Sequence, residues 1–267
     1  MKTTMRISFI GSGNLATSLA VALKKVGHSV EWVFSPTIEH AQELANRVGA
    51  KAPSSIANAL AECGVPDVVV IAVKDDVIGD VAKQYREGER QMDDAKMAVV
   101  IHASGSTSLS VLDGPAGVMW PMQSFSKGKL VDFSDVPLFI EASDDEALAI
   151  VKDLAASLSE RVKVMPSEQR KRLHLAAVFA SNMTNHCYAL AAHELEKVGV
   201  DFGWYEPLVM ETARKAFEMP PVKAQTGPMV RGDKKIMSEH ISMIDDKLTQ
   251  EIYRLFAQSI RKYKSRN

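Results

Sequence analysis

Residues 6–37, "RISFIGSGNLATSLAVALKKVGHSVEWVFSPT", decide how the chain is read. The apolar run 6–10 stops at Gly11. Apolar residues then recur at helical spacing through Leu15, Leu19, Ala22, Leu23 and Val26, and Gly27 stands next, where helices commonly end. "HSVEWVF" (28–34) is β-branched and aromatic, so the stretch predicts strand, tight turn, helix and strand. Within the turn, Gly11, Gly13 and Ala16 fit the pattern G-x-G-x-x-G/A. Each position has a physical task. Gly11 permits the turn, Gly13 has no side chain to keep a pyrophosphate from the backbone, and Ala16 lets the helix pack close to the sheet. The first N–H groups of the helix and the positive end of its dipole then face the phosphates. Gly11, Ser12, Gly13, Asn14 and Leu15 are therefore expected against a dinucleotide.

The end of the second strand distinguishes the two nicotinamide dinucleotides. An acidic residue there holds the ribose 2′-OH of NAD. That place falls at Phe34 or Ser35, and neither is acidic. Glu31 lies about twenty residues beyond the first glycine, but Trp32, Val33 and Phe34 still come after it in the strand, which rules it out. With no carboxylate to repel a 2′-phosphate, NADP is favoured and NAD is the alternative. Ser35 and Thr37 offer hydroxyl donors, while Pro36 stands where a basic residue would help.

Beyond this unit, "IEHAQELANRVG" (38–49), "SSIANALAEC" (54–63) and "DDVIGDVAKQY" (75–85) read as helices. "DVVVIAV" (67–73) and "MAVVIHAS" (97–104) are continuous apolar runs of strand length, as in parallel strands buried on both faces. "STSLSVL" (106–112) starts a short helix. "GVMWPMQSF" (117–125) is strand then turn, and "VPLFIEA" (136–142), "DEALAIVKDLAASLS" (145–159) and "ERVKVMP" (160–166) read as strand, helix and strand. After Pro166 the β-rich runs stop, and 167–198, 204–218 and 234–264 are long amphipathic stretches. The fold class is α/β: a doubly wound, Rossmann-type, mostly parallel sheet followed by an all-helical C-terminal domain. The expected domains are 1–165, binding the dinucleotide, and 166–267, for substrate and dimerisation.

The bulk numbers narrow the partners. The chain has 267 residues, 46% hydrophobic, enough for one large or two ordinary domains. Its 32 Lys+Arg against 33 Asp+Glu give no basis for binding nucleic acid or an anionic membrane. No apolar run approaches the roughly 20 residues of a membrane helix, and an N-terminus running straight into a strand leads us to expect no signal peptide. Cys63 and Cys187 form no metal or redox spacing, which favours a reducing, cytoplasmic setting. The methionines read mostly as core filler.

"FIGSGNLATSLAVALKKVGHSV" (9–30) and "DVVVIAVKDDVI" (67–78) resemble pyrroline-5-carboxylate reductases and NADP-dependent F420 oxidoreductases. Over most of its length the chain resembles, more closely, the Rossmann-like proteins with a DUF2520 C-terminal domain. The marks are "HASGS" (102–106), "PMQSF" (121–125), "HLAAVFASNMTN" (174–185) and "TGPMVRGD" (226–233), in the family's order. The resemblance implies an NADP-dependent oxidoreductase without naming its reaction. The family tends to have His-Pro where this chain has Trp120-Pro121, so no role for that histidine carries over.

Ligands of open α/β sheets bind beyond the carboxyl ends of the strands. Ala72, Val73, Lys74 and Asp75 are expected to line the cofactor groove, with Lys74 either on phosphate or ribose or merely solvated. Ser104 and Gly105 fall near the nicotinamide, and His102, still within its strand, reads as structural. In "RLHLAAVFASNMTNHCYALAAHEL", His174, Ser181 and Asn185 fall at i, i+7 and i+11 on one helical face, with Asn182 beside them. Such a stripe is costly to bury without purpose. In related two-domain dehydrogenases the corresponding helix carries catalytic residues. By that resemblance His174 is the candidate proton donor and Asn182 positions substrate; histidine suits the role because its ordinary pKa is near physiological pH. His186 and His193 lack the carboxylates of a metal site, and no metal is expected. Arg231 and Asp233 either pair, cap the next helix, or meet an anionic substrate.

The expectation is hydride transfer between nicotinamide and a small C=O or C=N substrate, with His174, Asn182 and Ser104 as the catalytic group. The alternative is a dinucleotide-binding sensor or scaffold without turnover. Related reductases pair through their helical domains, which implies a homodimer.

Overall fold

The computed structural model describes residues 4–92 and 96–264. Its contacts divide the chain into two compact units between Ser181 and Asn182. The first is built on a seven-stranded sheet: β1 (Arg6–Ile10), β2 (Ser29–Phe34), β3 (Val68–Ile71), β4 (Val99–His102), β5 (Ala116–Pro121), β6 (Leu138–Ala142) and β7 (Val162–Val164), in the order β2-β1-β3-β4-β5-β6-β7. Every pairing is parallel except β5 with β6. Outside β2, Lys51 forms a single bridge to Trp32. Counted as a remnant strand, it turns the order into 3-2-1-4-5-6, that of dinucleotide-binding sheets.

The helices obey the periodicity. α1 (Asn14–Lys25) and α2 (Ile38–Val48) join α5 (Asp145–Leu158) on one face of the sheet, where Leu19, Leu44 and Val151 meet Ile7, Phe9, Val68, Val70 and Ile101. α3 (Ile56–Cys63) and α4 (Ile78–Glu89) cover the other face, against Val69, Ile71 and Val100. The alternation of Val68, Val70 against Val69, Ile71 is the period of two of a strand buried on both sides. Gly49 ends α2 at φ +69°, and the Ser55 hydroxyl caps α3 by accepting from the Asn58 N–H. The helix expected at 106–112 is only a 3₁₀ turn, Leu109–Val111.

α6 (Ser167–Ala177) belongs to the first unit by contact, because Ser167 and Arg170 are buried and bonded to it. The second unit is helical: α7 (Thr184–Glu196), α8 (Glu206–Glu218), the short α9 (Pro221–Ala224) and α10 (Pro228–Arg231), α11 (Lys234–Met243) and α12 (Lys247–Lys264). No described helix is long and apolar enough to cross a membrane.

Candidate functional site

The glycine turn is built as the spacing predicts. The Gly11 N–H donates to the Phe34 carbonyl at 2.8 Å, which locks the turn to the end of β2. Gly11 has φ +109°, and a Cβ there would lie 2.2 Å from the Ala72 carbonyl oxygen, so no side chain fits. Gly13 differs: its φ is −72°, and nothing lies within 4 Å of an added Cβ. Ala16 is fully buried against the sheet. α1 starts with no side-chain cap and no acidic residue in its first turn, leaving its leading N–H groups for an anion. Ser35 is half-buried, and the exposed Thr37 precedes α2 without capping it.

Where β1, β3 and β4 end, a cavity of about 120 Å³ is lined by Leu15, Ala72, Val73, Asp75, Ala103 and Ser104, with Ile71 at its base. Lys74 is exposed and is not among the lining residues. The Ser104 hydroxyl accepts from the Ser106 N–H at 3.1 Å and the Thr107 N–H at 3.0 Å and lies 3.5 Å from the Ser106 hydroxyl, so its oxygen is fixed at the cavity wall. The Ser106 hydroxyl donates to the Asp75 carboxylate and joins the loops after β3 and β4.

Gly105, next to Ser104, is buried. A Cβ on it would lie 2.6 Å from Cε2 of Trp120 and 2.8 Å from Cδ2 of His174. The half-buried His174 ring therefore rests on the backbone next to Ser104 and packs on Trp120 at 5.8 Å between centroids. His102 is fully buried, as a structural residue should be. Its Nδ1 accepts from the Ser104 N–H at 3.1 Å. Burial, and then the nearby Arg170 charge, lower its pKa to about 4, which keeps it neutral.

The polar run before His174 conceals a residue that shapes this site. Arg170 is fully buried and donates to the Glu141 carboxylate and the Thr107 carbonyl. Ser167 donates to Glu141 at 2.7 Å and accepts from the Leu109 N–H at 3.0 Å. Burial pushes the Glu141 carboxyl up, but hydrogen bonds from Ser167 and Arg170 outweigh it and hold the group below the usual range. The start of α6 is thereby bonded to the loop carrying Ser104 and to β6. Arginine in "SEQRKRLH" reads as a solvated face, and only the long-range partner Glu141 distinguishes it.

The single α-helix expected to carry the polar stripe is interrupted. Val178–Met183 is a π-helical segment, not α-helix. Its turns are wider than those of an α-helix, and Ser181 and Asn182 fall within them. Asn182 is exposed and begins the second unit. In that unit Gly227 (φ +104°) and Gly232 (φ +73°) bracket α10, and Arg231 pairs with Asp233 at 3.6 Å, while the Asp233 side chain does not cap α11.

These features coincide with known families. Residues 6–102 match the profile "NADP oxidoreductase coenzyme F420-dependent", and residues 136–260 match DUF2520, a domain of unknown function. A Bacteroides fragilis structure, described as a candidate NADP oxidoreductase, is 41% identical and superposes with a TM-score of 0.88 over 97% of this chain and 98% of that one. The chain belongs to the Rossmann-like DUF2520 family. A Thermotoga maritima protein of known structure is 26% identical, with a TM-score of 0.67 over 97% of this chain and 99% of that one. The 1-pyrroline-5-carboxylate reductase of Streptococcus pyogenes shares the fold, at 15% identity and a TM-score of 0.59 over 97% of this chain and 99% of that one. No curated protein matches. The family's broad class is NADP oxidoreductase, and its fold is the Rossmann-like sheet followed by helices seen in this chain.

Proposed function

We propose that the protein is an NADP-dependent oxidoreductase that moves hydride between nicotinamide and the carbon of a small C=O or C=N substrate. The observation that carries this reading is the glycine turn: an obligate glycine at 11, open space at 13, and an uncapped α1 beside the Ser104 cavity. Gly11, Ser12, Gly13, Asn14 and Leu15 hold the pyrophosphate; Ser35 and Thr37 serve the 2′-phosphate; Ala72, Val73 and Lys74 follow the cofactor groove, with Lys74 toward phosphate or ribose; Ser104 and Gly105 border the nicotinamide. The cofactor supplies the hydride. His174 holds the proton that the reduced oxygen or nitrogen takes up, Ser104 donates a hydrogen bond that orients the substrate, and Asn182 positions it. We divide the labour at residues 165 and 166, with the nucleotide held by the first part and proton donation and dimerisation assigned to the second.

The helical unit supports a homodimer. Trp204, Leu208, Met210 and Phe217 are exposed on it, apolar side chains that a second copy would cover in part. Free Cys63 and Cys187 suit a reducing cytoplasm.

The reading is tested by monitoring NADPH consumption over panels of ketones and preformed imines. Turnover should appear with one class, and His174→Ala should lower it about a hundred-fold or more. Unchanged turnover in that variant removes His174 from the chemistry. A second reading, a dinucleotide-responsive sensor or scaffold, draws on Trp120, which fills the space against Gly105 and His174. It predicts tight NADPH binding with no turnover on either panel.

A further inference from the structure

A larger cavity, about 270 Å³, opens at the glycine turn. Ser12, Gly13 and Thr17 form one wall and the outer side of α2, with His40 and Arg47, forms another. The third wall comes from far along the sequence: the segment "SKGKL" (126–130), carrying Lys127 and Lys129. Ser35 and Thr37 do not line this cavity.

The position of that segment is set by topology. β5 and β6 are antiparallel, so the connection 122–137 lies at the carboxyl edge of the parallel strands, where ligands of such sheets bind. Connections longer than about 12–15 residues without regular structure are uncommon and usually functional. This one is anchored. The Asn14 side-chain amide donates to the Phe125 carbonyl at 3.3 Å, which ties the first residue of α1 to it. Phe125 and Phe133 stack at 6.1 Å and pack on the main core. Gly128, at φ +79°, turns the chain between the two lysines.

The charges favour an anion. Arg47, Lys127 and Lys129 face the cavity against a single carboxylate, Glu43, which is already paired with Arg47 at 2.7 Å. Neither lysine has an acidic partner among the described residues. The nearby start of α1 adds the positive end of its dipole.

We propose that Lys127 and Lys129 complete the site for the dinucleotide's phosphates from outside the βαβ unit, with Arg47 and His40 on the opposite wall. The proposal rests on the NADP reading and adds to it the cations that the β2–α2 turn lacks. Ser35 and Thr37 bring hydroxyl groups but no charge, and Pro36 occupies the place between them.

The test is calorimetric titration of the full-length protein and of the Lys127→Ala/Lys129→Ala variant with NADPH and with NADH. Both lysines are exposed, so the melting midpoint should not change. The variant should bind NADPH about ten-fold or more weakly, with a flatter dependence on salt. Loss confined to NADPH assigns the lysines to the 2′-phosphate, and equal loss of NADH assigns them to the pyrophosphate; either result supports the proposal. Undiminished binding of both nucleotides by the variant overturns it and leaves the NADP reading standing. A wild-type protein that binds neither nucleotide overturns both.

Discussion

The rings of Trp120 and His174 pack 5.8 Å apart, tilted by 59°, and both lie against the backbone of Gly105. The absence of a side chain at 105 is therefore what lets the loop after β4 meet α6. Gly105→Ala forces both rings to move and should cost about 1–3 kcal/mol in urea unfolding. In a Trp120→Leu background the same change should cost less by about 0.5 kcal/mol or more, because the pair shares one space. Additive losses would show that the three residues do not crowd one another.

Gly11 and Gly13 should separate folding from binding. Gly11→Ala combines a positive φ with a 2.2 Å approach to the Ala72 oxygen and should destabilise by about 3 kcal/mol or more. Gly13→Ala meets open space at φ −72° and should leave stability unchanged or raise it by about 0.5 kcal/mol. The same methyl stands where the pyrophosphate is read to approach, so NADPH affinity should fall. Full affinity in Gly13→Ala would move the nucleotide away from the turn.

His102 predicts a pH effect of definite sign. In the folded chain burial and Arg170 lower its pKa to about 4, whereas an unfolded histidine titrates near about 6.5. Between these values the unfolded chain binds a proton that the folded one refuses, so stability falls as pH falls through this window. The loss reaches about 3 kcal/mol and vanishes above the unfolded value. His102→Asn keeps an acceptor for the Ser104 N–H and removes the titration. Chemical unfolding from pH 7 to 4 should show a shallower loss in the variant; parallel profiles would contradict the assignment.

Phe217 is 93% exposed and Trp204 80%, values that suit a surface covered by a second copy. Phe217→Glu should shift sedimentation from dimer toward monomer and leave the melting of the dissociated chain unaltered. A wild-type protein that sediments as a monomer at micromolar concentration rules out the homodimer.

The βαβ unit is legible in the sequence because its signals are local: period 3.6 through Leu15, Leu19 and Leu23, then glycine where the backbone demands it. Buried strands such as Val68–Ile71 are equally plain, being apolar on both faces. What escapes is long-range or energetically subtle. Lys51 makes one bridge, too short for any pattern. The π-helical turns at Val178–Met183 use residues that an α-helix would accept, so a straight-helix count does not foresee them. Arg170 is charged yet wholly buried, and its meaning lies in Glu141 on a distant strand. The approach of Lys127 and Lys129 to α1 depends on how the β5–β6 connection folds back, which no local periodicity encodes.

Whether the glycine turn holds NADPH decides the function, and calorimetric titration of the purified protein with NADPH and NADH tests it most directly. Saturable one-to-one binding of NADPH is predicted, about ten-fold or more tighter than NADH. Failure to bind either would contradict it and leave "GSGNLA" as a strand-to-helix turn with no nucleotide to hold.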